Sequence, residues 1–116
     1  MLRVPRPSVS VICLYSIVAS LAEAGRECRT GQHPEMQAEL ERAERRLDEH
    51  ILANSEFTPA QIERFKAGQR RPANQDICQM VGPPYDGFAA VGPERFRSDL
   101  DWILANRRSI DEGDCL

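Results

Sequence analysis

Lysine is almost missing from this chain, for among 15 basic residues only Lys66 is one. The arginines are spread out rather than gathered into a basic patch, and the formal net charge is −3. Nucleic-acid affinity comes largely from clustered cations that neutralise phosphates, so nucleic acid is not expected as a partner. Long apolar runs are missing too: Val9 to Leu21 gives 13 residues, short of the ~18 to 20 that cross a hydrocarbon core. Histidine is scarce, with only His33 and His50, and neither lies in a recognisable catalytic motif. A hydrolase needs a nucleophile, a base and an orienting group, so an enzyme is not expected and both histidines read as solvent-exposed. Sustained period-two alternation is absent as well, which argues against strands.

What is present at the N-terminus reads as a secretory signal peptide. Arg3 and Arg6 form a positive region, an apolar stretch with Ile12, Leu14, Ile17 and Val18 follows, and Ala22-Glu23-Ala24 closes it with a small-x-small pattern. Cleavage is expected after Ala24, making residues 1–24 an export address and residues 25–116 a single helical domain of a size that suits one core. Loss of Arg3, Arg6 and Glu23 would leave a net charge of −4. The expected location is periplasmic or extracellular, with a membrane attachment only if the signal is kept.

Cysteine arithmetic then follows from the cleavage. Cys13 leaves with the signal, so Cys28, Cys78 and Cys115 remain in an oxidising setting where disulfides persist. One bridge among three cysteines can form in three ways. Cys78 with Cys115 is favoured, because the acidic tail after the last helix can fold back onto the third. Cys28 is then an unpaired thiol, open to a homodimer through it. A metal site drawn from the cysteines, His33, His50, Met36 and Met80 finds no support in spacing, since no Cys-x-x-Cys, His-x-x-x-His or haem-attachment pattern occurs. No cofactor is expected, and Met36 and Met80 read as core side chains.

Four helices are expected, two long and two short, as an all-α bundle stapled by one disulfide. The first opens at Pro34 and carries Met36, Leu40, Ala43, Leu47 and Ile51 on one face. The second is announced by Thr58-Pro59-Ala60-Gln61, a capping box flanked by Phe57 and Ile62 as a hydrophobic staple, and ends at Gly68. After a loop through Pro72, Asn74 would cap a third short helix ending at Val81, with Gly82-Pro83-Pro84 as its stop. The last helix opens at Pro93 and buries Phe96, Leu100, Ile103 and Leu104, with Arg107 and Arg108 at its negative end. Ile51-Leu52-Ala53-Asn54 and Ile103-Leu104-Ala105-Asn106 are the same four residues, read as two similar helix ends and no repeat.

The glycine- and proline-rich stretch 82–92 is then a loop that sets out Tyr85 and Phe88 as partner-binding anchors, because rigid scaffolds often carry recognition groups on loops and aromatics dominate interfaces. The competing role for these rings is to plug the open end of a small core. Function is expected to be the binding of a protein or cell-envelope component, as an inhibitor or accessory subunit, without catalysis. The alternative is a thiol-redox or metal-binding protein using the unpaired cysteine. Cys28, Glu35-Met36-Gln37 and Trp102-Ile103 ahead of Cys115 resemble in part small cysteine-containing helical envelope proteins of the lysozyme-inhibitor-like type. Residues 57–93 do not match that pattern, and no functional residue carries over.

Overall fold

The apolar N-terminal stretch forms a helix with a strong start. In the computed structural model, which describes residues 8–69, 75–107 and 109–115, α1 runs Val11–Cys28 and the Ser10 hydroxyl accepts the Cys13 amide at 3.2 Å. Its buried Val11, Leu14, Tyr15, Val18, Ala22 and Gly25 recur three or four apart and line one face. That face lies against α2 (Pro34–Asn54), α3 (Pro59–Gln69) and α4 (Gln75–Ala89), while α5 (Pro93–Asn106) packs on α2. Among the described residues the fold is all-helical apart from one isolated bridge, Val9 to Asp114. The helices number five rather than four, because the stretch expected to leave with the signal supplies a helix of its own.

The core is one cluster. Met36, Leu40, Ala43, Leu47 and Ile51 of α2 meet Leu14, Tyr15, Val18 and Ala22 of α1 and Phe96, Leu100 and Ile103 of α5. At the start of α3 the capping box forms as its sequence implies. Thr58 N–H donates to Gln61 Oε1 at 2.9 Å and Gln61 N–H to Thr58 Oγ1 at 3.2 Å. Ile62 is buried, whereas Phe57 stays 38% exposed. Gly68 does not end this helix, which continues to Gln69.

The expected loop at 82–92 is a correction. Pro83 and Pro84 lie inside α4, which continues to Ala89. Neither proline can bond the carbonyl four residues back, which frees those of Gln79 and Met80. All four residues are exposed, so water can take the freed acceptors. A bare turn follows, with Gly92 at φ 96° before Pro93 opens α5. Asn74, the expected cap of the third helix, and the loop residues 70–73 lie outside the described residues, as does Arg108.

Disulfide pairing also differs from expectation. Cys13 bridges Cys115 and Cys28 bridges Cys78, with Cα atoms 5.5 and 5.4 Å apart, so there are two staples and no free cysteine. The expected Cys78–Cys115 bridge does not form, because α4 runs beside α1 and brings Cys78 to its C-terminal end. The tail returns instead to the start of α1. There Ser10 N–H donates to the Asp114 carbonyl at 2.9 Å, Asp114 N–H to Ser8 at 2.7 Å and Ile12 N–H to Ile110 at 3.0 Å. Gly113, at φ 118°, has no room for a side chain against the Ser8 and Ser10 backbone. With Cys28 in an intrachain bridge, a homodimer through it has no thiol to use.

Candidate functional site

Three polar clusters tie the helices together. In the first, Tyr15 of α1 stacks on Phe65 of α3 with ring centres 5.5 Å apart, and its hydroxyl donates a hydrogen bond to Asp48 Oδ1. Lys66 reaches the other oxygen of Asp48 at 2.7 Å and Glu63 at 3.7 Å. Burial and the Asp48 acceptor push the Tyr15 phenol far up. Burial lowers the Lys66 ammonium pKa, yet the hydrogen bond and charge of Asp48 outweigh it, and the net shift is upward.

The second cluster joins α1, α2 and α4. Arg29 Nε lies 3.1 Å from both oxygens of Asp86, and His33 Nε2 lies 3.4 Å from one of them. Beside it, Tyr85 donates to Gln37 Oε1 at 2.8 Å, and Gln37 Nε2 donates to the Ala22 carbonyl at 2.9 Å and to Glu41 at 3.2 Å. Burial, then the negative charges of Asp86 and Glu41, raise the Tyr85 phenol. Gly82 lets the Arg29 guanidinium lie close on α4, since a Cβ there would strike it.

The third cluster joins α2 to α5. Glu39 is only 4% exposed and takes Arg97 in a two-point pair at 3.1 and 2.7 Å. That hydrogen bond from Arg97 holds the Glu39 carboxyl below its usual range against the upward pull of burial. Arg46 and Asp101 add a second pair at 2.7 Å.

The expected recognition anchors fall in the interior. Tyr85 is 1% exposed, and Phe88 is half-buried with its ring edge-on to Phe96 at 5.1 Å. They occupy the plugging role, because α4 continues through them and turns both rings inward. His33 and His50 are half-buried rather than exposed; burial alone pushes His50 down. Met36 is in the core as expected, whereas Met80 is 67% exposed. Arg107 caps the end of α5 and lays its guanidinium 5.3 Å from the centre of the Trp102 ring.

Residues missed from sequence are the charged partners Asp48, Lys66, Asp86, Glu39 and Arg97, each far from its partner along the chain. One signal was legible: Glu39 lies three residues after Met36 and one before Leu40, at the edge of the apolar stripe of α2. Among the open grooves lined by described residues, two lie at the ends of α2. One of about 450 Å³ runs between the α2–α3 turn and the tail, with Phe57, Gln61 and Ile110 among its walls. The other, of about 350 Å³, lies at the start of α2 around His33, Glu35 and Met36. Neither groove sets a histidine beside a hydroxyl or thiol, and among the described residues no group of three cysteine, histidine or carboxylate side chains could hold a metal ion.

Fold and clusters together define a small helical protein clipped by two disulfides. Comparisons with protein-family models, curated proteins and solved structures find no match to this chain.

Proposed function

We propose that this chain is an exported, non-enzymatic helical protein that acts by binding a protein or cell-envelope component, as an inhibitor or accessory subunit. The observation that supports this best is the two-bridge helical core. Paired cysteines fit an oxidising, exported setting. The half-buried charges are joined to one another across helix interfaces, so encounters with other molecules fall to the surface. With Tyr85 and Phe88 turned inward, the apolar groups offered to a partner include, among the described residues, Phe57 on the tail groove and Met80 and Val91 around α4, of which Met80 and Val91 are 67% and 51% exposed. The thiol-redox and metal alternative relied on an unpaired cysteine, and none is free.

Site-specific photocrosslinking in producing cells tests the reading, with the photoreactive residue placed in turn at Phe57, Met80 and Val91. A discrete crosslinked species from at least one position is the expected result. No partner species from any of the three overturns it. Thiol titration of the oxidised, unfolded protein is expected to find no reactive thiol, and a titrating one would return the redox reading.

A further inference from the structure

We propose that folding seals the Ala24–Gly25 bond, the bond whose small-x-small approach suits signal peptidase, so that a chain reaching its oxidised native state keeps α1 as a core helix. This goes beyond partner binding, and the two-bridge core that supports the binding reading requires it, because Cys13 pairs with Cys115. The bond is held helical rather than extended. Ala22 is fully buried, Ala24 is 5% exposed, and Gly25 is buried as well. The backbone around it is engaged: the Ala22 carbonyl takes Gln37 Nε2 at 2.9 Å, and the Gly25 carbonyl takes the Arg29 amide at 3.2 Å. Gln37 and Tyr85 press on Gly25 so closely that no Cβ fits there.

A peptidase reaches such a bond only through local opening, and its rate then tracks the population of the open form. Opening here means withdrawing a helix that supplies seven of the eighteen apolar side chains buried among the described residues, Tyr15 and Val18 included. The two bridges hold α1 on both sides of the bond, at Cys13 and at Cys28. They also make the history of the bond readable. A cut made before oxidation yields a chain that starts at Gly25, lacks Cys13 and leaves Cys115 without its partner. A cut made after oxidation leaves residues 1–24 attached through Cys13–Cys115, the product being heavier by the one water that hydrolysis adds.

Intact mass under non-reducing conditions, on the full chain exported from producing cells, therefore separates three outcomes. A mass that includes residues 1–24, lower by two hydrogens for each bridge and with no added water, is expected. A mass that starts at Gly25 overturns the proposal, and so does the full mass plus one water. In a second measurement, purified signal peptidase acts on the oxidised folded chain and on the reduced, unfolded chain. Cleavage at Ala24–Gly25 is expected to be at least about a hundredfold slower in the folded form. Equal rates, or no cut in the unfolded chain, overturn the claim that folding is what guards the bond.

Discussion

Tyr15, Gly25 and Glu39 each carry a consequence that one side chain can test. Tyr15→Phe keeps the ring on Phe65 and removes only the hydroxyl that donates to Asp48. Its expected cost is about 1 to 2 kcal/mol in urea unfolding, because Asp48 retains Lys66 as a partner. Gly25→Ala adds one methyl group where Gln37 and Tyr85 already stand, and overpacking of this kind destabilises by about 1 to 3 kcal/mol. An unchanged midpoint would mean that α1 sits further from α4 than described. Glu39 links stability to pH. Its folded pKa lies below the ordinary 4.5, so its contribution is present above pH 4.5 and is lost as pH falls through the lowered value. The stability gap between the native chain and Glu39→Gln is thus expected to shrink in acid below pH 4.5, and urea midpoints measured at neutral and acid pH check it. These pairs escaped the sequence because a two-point contact such as Glu39 with Arg97 is 58 positions apart in the chain, and no local pattern joins two such residues.

At the scale of the element, α2, α3 and α5 were legible because each begins with proline and carries its own start signal or apolar stripe. The Thr58–Gln61 box is a local device, so reading four residues suffices to find it. The fourth helix was legible only to Val81. Gly82-Pro83-Pro84 is a strong local stop, yet tertiary support overrides it: Tyr85 and Phe88 lock onto the core, Cys78 is tied to Cys28, and the two prolines face outward. Pro84→Ala restores a donor in mid-helix. It is expected to raise helicity by circular dichroism and to stabilise the chain by about 1 to 3 kcal/mol, the loss of proline's restraint on the unfolded chain offsetting part of the gain. A destabilised Pro84→Ala variant would show that the carbonyl of Met80 has a partner that the new amide displaces. In α1 the same apolar residues satisfy two descriptions, an export address and a buried helix face, and periodicity alone does not choose between them.

For the whole molecule, the bridges set the scale of stability. Loops of 50 and 102 residues correspond to about 4 to 5 kcal/mol each in the chain-entropy model when taken alone. Because the inner loop lies within the outer, the two effects do not simply add. Cys28→Ser with Cys78→Ser is expected to cost about 2 to 5 kcal/mol in thermal or urea unfolding while leaving the helical signal of the folded state intact. A loss within about 0.5 kcal/mol would mean that this bridge constrains little in the unfolded chain. The all-helical class was legible at this scale, since nothing in the pattern alternated. The pairing was not, because it turns on whether Cys13 belongs to the domain.

The outer bridge also fixes how the molecule would respond to force. Cys13 and Cys115 are covalently joined across 102 positions, so tension entering before the first and leaving after the second passes through the sulfur atoms and bypasses the helices between them. Pulled by chain on either side of this pair while oxidised, the segment between Cys13 and Cys115 would carry no load until that single bond was cut.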